Sequence, residues 1–237
     1  MASVNRCAPV FCTAVVAGAL LSGCVSTVSG TALRGQDAGP TVVTVPKLEE
    51  SDLDRVLLSA GEVNGVMDAT GIRVTASSQN MSDNSRGVSD VDCLGAIYGA
   101  EELVYHGSDW AAVRDEVLQE PTTDNAHWVE QIAVLFPSAD KASAFVDGSR
   151  TTWEKCGGTS IDIDNSDVHS TWKIDQANVT GDILTQQSSQ RNAGGWGCQH
   201  ALTSASNLVV EAWACSNSIN DEAKSIASEM IKNAAGK

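Results

Sequence analysis

Basic residues are scarce in this 237-residue chain: 15 Lys and Arg stand against 30 Asp and Glu, a formal net charge of −15. A surface that acidic repels phosphate backbones, which argues against a nucleic-acid partner. Charge of either sign is itself limited to 19% of the residues, while 42% are hydrophobic, too apolar a balance for a charge-driven disordered chain. The length suffices for one generous domain or two small ones. Catalytic signatures are missing too. There is no Gly-x-Ser-x-Gly elbow, no HExxH, no P-loop and no GxGxxG. Neither HRD nor DFG occurs, so the chain holds no protein-kinase domain. No internal repeat is visible.

Long apolar runs are absent except one, Ala8 to Leu21, which follows the single basic residue Arg6 and precedes Ser22-Gly23-Cys24. A short charged start, an apolar stretch and small residues at its end describe a secretory signal peptide. The run is shorter than the roughly 20 residues that span a bilayer. Leu21-Ser22-Gly23-Cys24 resembles the bacterial lipobox, a leucine and two small residues before the cysteine that becomes the new N-terminus. That resemblance implies cleavage after residue 23, lipidation of Cys24 with acyl chains such as palmitate, and anchorage to the outer face of a cell membrane. Loss of residues 1–23 removes Arg6 and no acid, so −15 becomes −16.

Seven cysteines are present. Cys7 and Cys12 leave with the signal and Cys24 carries lipid, so Cys93, Cys156, Cys198 and Cys215 remain, an even number that reads as two disulfides in an exported domain. Gly195–Thr203 and Leu208–Cys215 look like two strands. A two-residue loop at Ser206-Asn207 sets opposite residues to numbers summing to 413, and Cys198 and Cys215 sum to 413. They then face each other at a non-hydrogen-bonded position, with Cα atoms about 4.5 Å apart. Cys93 pairs with Cys156 by elimination. No two of these four have CxxC spacing and none has a histidine at zinc-finger spacing, so no metal is expected.

Residues 24–46, rich in Ser, Thr, Gly and Val, read as the lipidated end and a tether before a domain over residues 47–237. Leu53, Val56, Leu57 and Ala60 fall at helical spacing within Leu48–Ser59 and its end, and Ser59-x-x-Glu62 has the spacing of a capping box for a second short helix. Ile72–Ser77 looks like a strand, residues 78–91 like a polar loop, and Cys93–Tyr105 like part turn and part helix. Trp110–Gln119 and Ala126–Pro137 suggest an antiparallel pair. Ser138 caps a helix with Ala142, Phe145, Val146, Ser149 and Trp153 on one face, stopped by Gly157-Gly158. Ser160–Asp164, His169–Asp175 and Val179–Gln187 suggest further strands. Ser218 with Asp221 opens a last helix striped by Ala223, Ile226, Ala227, Met230, Ile231 and Ala234. This order is no repeating βαβ; it predicts an α+β domain, a twisted antiparallel sheet flanked by helices.

Four features recur together: Asp92-Cys93-Leu94-Gly95, a strand from Trp110, the helix from Phe136-Pro137-Ser138 to Trp153-Glu154-Lys155-Cys156, and a Gly195-Trp196-Gly197-Cys198…Cys215 hairpin before a terminal helix. This set resembles the PknH-like extracellular domain, found outside the membrane on a mycobacterial Ser/Thr kinase and on many mycobacterial lipoproteins. The resemblance covers about residues 47–236. It implies a twisted sheet, two disulfides among Cys93, Cys156, Cys198 and Cys215, and a solvent-facing cleft for an unidentified ligand. It assigns no cleft residues.

Six tryptophans outnumber three Phe and two Tyr. Most of Trp110, Trp128, Trp153, Trp172, Trp196 and Trp213 are expected in the core beside the disulfides, with one or two free to line a cleft. His106, His127, His169 and His200 are scattered and read as packed or solvated, with His200 facing Trp213 in the hairpin register. The acidic Ile161–Asp167 lacks the glycine and glutamate of an EF-hand and reads as a solvated turn. The expectation is a non-catalytic domain binding a glycan, lipid or peptide of the envelope, without cofactor. A hydrolase using an Asp/Glu pair and a scaffold for another envelope protein are the alternatives.

Overall fold

Strand-forming runs of Val, Ile, Thr and Trp separated by Gly, Asn and Asp turns assemble here into one sheet. The computed structural model describes residues 44–121, 126–165 and 168–236; the stretch read as a signal peptide, Cys24 and the stretch read as a tether up to residue 43 lie outside them. The strands are β1 (Arg73–Ser78), β2 (Ala112–Gln119), β3 (His127–Leu135), β4 (Ser160–Asn165), β5 (Val168–Ile174), β6 (Asn178–Thr180), β7 (Ile183–Gln190), β8 (Gly197–Ala205) and β9 (Leu208–Ser216). Their order is β1-β2-β3-β9-β8-β7-β5-β4, with β6 added beside β7. Every pairing is antiparallel. The helices are α1 (Ala60–Val66), α2 (Glu102–Tyr105), α3 (Ala139–Cys156) and α4 (Glu222–Ala234). The domain is α+β, as its element order predicts.

Helices pack on both faces of the sheet, and all nine residues of the central strand β9 are buried. On one face Val129, Ala133, Val210 and Ala212 pack beneath Leu53, Val56 and the α4 stripe of Ala223, Ile226, Ala227 and Met230. On the other, Ile132, Val134, Leu202 and Val209 pack beneath Tyr105, Phe136 and Trp153. Two buried amide side chains sew the N-terminal segment to the sheet. Gln131 accepts from Leu58 N at 2.7 Å and donates to Leu58 O at 2.8 Å. Asn207 does the same for Leu48 at 2.8 and 3.0 Å. Val45, inside the stretch read as tether, already packs into this core.

The hairpin has the expected register. Ala205 faces Leu208, Cys198 faces Cys215, and Ser206 turns with φ of 54°. The Cys198–Cys215 disulfide spans a Cα separation of 4.0 Å, and Cys93–Cys156 one of 5.7 Å. Ser59 and Glu62 form the capping box of α1, and Ser138 caps α3 by accepting from Lys141 N.

Four local expectations change. The strand read as Val179–Gln187 is two, β6 and β7, because Gly181 takes φ of 62° and turns the chain back on itself, pairing Thr180 with Ile183. The first helical stretch is a 3₁₀ turn over Glu50–Arg55 only. Asp221, not Ser218, stands at the N-cap of α4, which begins at Glu222, but its carboxylate bonds Lys224 Nζ at 2.8 Å and Gln199 rather than a backbone N–H. The strand expected over Ser160–Asp164 is present as β4, with Ile161 and Ile163 inward and the acids alternating outward, and it overrides the turn reading of residues 161–165; Ser166 and Asp167 lie outside the described residues.

Candidate ligand cleft

Strand alternation puts Trp128, Glu130 and Ile132 of β3 on the same face as Glu211, Trp213 and Cys215 of β9 and Cys198, His200 and Leu202 of β8. The rows that result run across the sheet. Trp128 lies opposite Cys215, which faces Cys198, which faces Ser188 of β7. The next row is Glu130, Trp213, His200 and Gln186. The roof of α3 does not reach the end of the sheet where Trp128 lies. There a cleft of about 360 Å³ opens, lined by Trp128, Trp172, Trp196, Trp213, Tyr98 and Glu130 around the Cys198–Cys215 disulfide. That volume lies at the lower end of the ~300–1,000 Å³ of small-ligand sites.

The tryptophan expectation is therefore corrected. Only Trp153 and Trp213 are buried; Trp110, Trp128, Trp172 and Trp196 are half-buried, and four indoles rather than one or two line the cleft. Sheet order causes this: β3, β9 and β5 bring together residues up to 85 positions apart in sequence, from Trp128 to Trp213.

Beneath the cleft floor lies a buried polar cluster. His200 is sandwiched between Trp153 and Trp213, each ring centroid 4.1 Å away. Its Nε2 sits 3.1 Å from Glu211 Oε2, and the Tyr105 hydroxyl donates to the other oxygen of Glu211. Burial pushes the Tyr105 pKa well up and that of His200 down, so the imidazole is held neutral. Asp115, diagonal to Glu130 across β2 and β3, has its pKa raised to about 6 by burial and by the charge of Glu211. Glu130 is raised well above the ordinary carboxyl range, first by burial and then by Asp115, Glu211 and Glu101. Burial raises Glu101 too, against the bonds it accepts from Asn84. Among the described residues none of these four acids forms an ion pair with Lys or Arg.

Five polar atoms here are buried without a partner among the described residues: Trp213 Nε1, Ser188 Oγ, His200 Nδ1, Gln186 Oε1 and Asp115 Oδ1. The first two belong to residues that line the cleft. Of the other histidines, His127 bonds Glu120 at 2.7 Å, and His106 and His169 are exposed. No group of His, Cys, Asp or Glu among the described residues is arranged to hold a metal. Residue patterns missed Glu130, Glu211 and Asp115. Their signal is an acid amid apolar strand residues, as in HWVEQIAVLF and LVVEAWAC.

Two disulfides and an open aromatic cleft on an antiparallel sheet define an α+β domain of the extracytoplasmic kind. The chain belongs to the PknH-like extracellular domain family, whose profile matches residues 48–233. It is similar to the crystal structure of the extracellular domain of PknH from Mycobacterium tuberculosis, with 33% identity, a TM-score of 0.77, and coverage of 81% of this chain and 99% of that one. It is also 33% identical over 193 residues to the serine/threonine-protein kinases PknH of Mycobacterium tuberculosis and Mycobacterium bovis. Those matches cover 81% of this chain but 31–32% of the kinases, so the chain spans about a third of their length. The similarity is to the kinase's extracellular part and not to a catalytic domain. No helix among the described residues is long and apolar enough to cross a membrane.

Proposed function

We propose that this protein is an exported lipoprotein, anchored through acyl chains on Cys24, whose domain binds an envelope ligand in the tryptophan cleft without transforming it. The observation that carries the reading is the pairing of four indoles with two buried, unpartnered polar groups, Trp213 Nε1 and Ser188 Oγ, in one lining. Buried polar atoms are costly unless something bonds them, and a ligand supplies that partner. The carboxyl arrangement is not that of a glycosidase. Glycosidase pairs stand about 5–9.5 Å apart with room for a water or sugar between them. Glu130 and Asp115 instead share a hydrogen bond, and Glu130 alone of the acids lines the cleft.

Thermal-shift and native mass-spectrometric screening of the purified protein against envelope glycans, lipids and peptides tests this. A ligand that raises the melting temperature and quenches tryptophan emission supports it. Failure of every ligand, with an envelope protein co-purifying stoichiometrically, would replace the cleft by a scaffold role. For the anchor, Cys24→Ala releases the protein from membranes and removes the lipid mass; unchanged retention refutes lipidation.

A further inference from the structure

The chemistry of the cleft restricts what enters it. Its lining holds no Lys, Arg or His side chain, and Glu130 is its one acidic side chain among the described residues. Behind Glu130 lie Asp115 from β2, Glu211 with neutral His200 from the β8–β9 hairpin, and Glu101 and Tyr105 from the segment under α3. These acids lack a Lys or Arg counterion, and a chain of net charge −15 adds to the same negative field. Burial and acidic neighbours hold Glu130 in its protonated form, which a neutral sugar or an anion leaves unchanged. A cation at the floor favours the ionised carboxylate and so couples its binding to release of that proton.

The walls suit a cation. Indole faces carry negative potential and attract alkylated ammonium groups more strongly than the faces of Tyr or Phe. Trp128, Trp172, Trp196 and Trp213 surround the cleft, with Tyr98 at its side. The unpartnered Trp213 Nε1 is a donor only, so it calls for an acceptor oxygen close to the cation. Trp213 Nε1 lies on the Glu130 side of the cleft, where it and Glu130 Oε2 both stand beside Gly99. A phosphate beside the ammonium finds no base in the lining, which disfavours phospholipid headgroups.

Resting on the cleft reading above, we infer that the ligand presents an unphosphorylated alkylammonium group next to a hydroxyl or carbonyl oxygen, the cation caged by indoles against Glu130 and the oxygen bonded by Trp213. The test titrates the purified full chain with choline, its neutral isostere 3,3-dimethylbutan-1-ol, phosphocholine and methyl glucoside, following tryptophan emission and indole N–H chemical shifts. Choline is expected to bind at least about tenfold more tightly than the isostere or phosphocholine. Glu130→Gln is expected to weaken choline by a similar factor, and Trp196→Ala, on the segment before β8, serves if that variant misfolds. Equal binding of choline and isostere, or choline binding untouched by both variants, overturns the inference. Methyl glucoside shifting the cleft indoles while choline does not overturns the cation and leaves the cleft standing. No indole responding to any of the four overturns the cation inference, while the envelope-ligand screen above separately decides the cleft reading.

Discussion

His200 lies against Trp213 with ring planes 19° from parallel, directly opposite it on the neighbouring strand. Trp213 lines the cleft on its other side, so the imidazole supports the floor of the site while its Nε2 bonds Glu211 underneath. His200→Ala removes a ring between two indoles and strips Glu211 of that contact. A loss of about 3 kcal/mol is expected in guanidinium unfolding. A loss below about 1 kcal/mol would show that the stack contributes little.

Stability should rise on mild acidification. Asp115, Glu130 and Glu101 bind protons more tightly folded than unfolded, so the native state takes up protons first as pH falls. For Asp115 the move from 3.8 to about 6 corresponds to at most about 3 kcal/mol, recovered between those two pH values. His200 runs the other way: held neutral by burial, it disfavours folding as pH drops below its ordinary 6.5. Asp52, Glu62 and Asp83, lowered by hydrogen bonds, lose their contributions only below about pH 4. The melting temperature should peak between about pH 4.5 and 6, and Asp115→Asn should flatten the climb from pH 7. A steady fall from pH 7.5 to 5 would contradict this balance.

The disulfides should differ in their effects. Cys93–Cys156 closes a separation of 63 residues and ties the segment carrying Tyr98 and Glu101 to α3, so its removal costs about 4 kcal/mol on chain-entropy grounds. Cys198–Cys215 closes 17 residues already held in a continuous ladder, about 3 kcal/mol by the same reckoning. Its loss should weaken cleft binding more than its stability effect suggests, because it lies in the cleft lining. Double-Ala variants, melted and titrated side by side, measure both. Non-reducing peptide mapping that yields a Cys93–Cys198 peptide would contradict the connectivity.

Two glycines give opposite expectations. A Cβ on Gly197 would stand 2.8 Å from the backbone oxygen of Ser188, so Gly197→Ala must force β7 and β8 apart and should cost about 2 kcal/mol. Gly65, in exposed α1, has no heavy atom within 4 Å of such a Cβ, and Gly65→Ala should gain about 0.5–1 kcal/mol. Urea midpoints of the pair moving in the same direction would refute the argument.

Legibility followed locality. The capping boxes, the α4 stripe and the Cys198–Cys215 pair could be read because each depends on residues a few turns or one hairpin apart. The two-residue turn at Ser206-Asn207 sets every partner along nine rungs, so arithmetic alone placed His200 opposite Trp213. The split of β6 from β7 rests on Gly181-Asp182, a two-residue hairpin pair set inside an otherwise continuous strand-like run, and the start of α4 on Lys224 and Gln199, which take the carboxylate of Asp221.

The sequence by itself determined an α+β domain with four cysteines over residues 47–237, and with it the family. Periodicity and register are properties of one segment or one hairpin. Only the tertiary structure decided where the four cleft indoles meet and that Glu101, Asp115, Glu130 and Glu211 gather beneath them. That gathering depends on which distant strands become neighbours and on where α3 stops covering the sheet, and neither is written in any one segment.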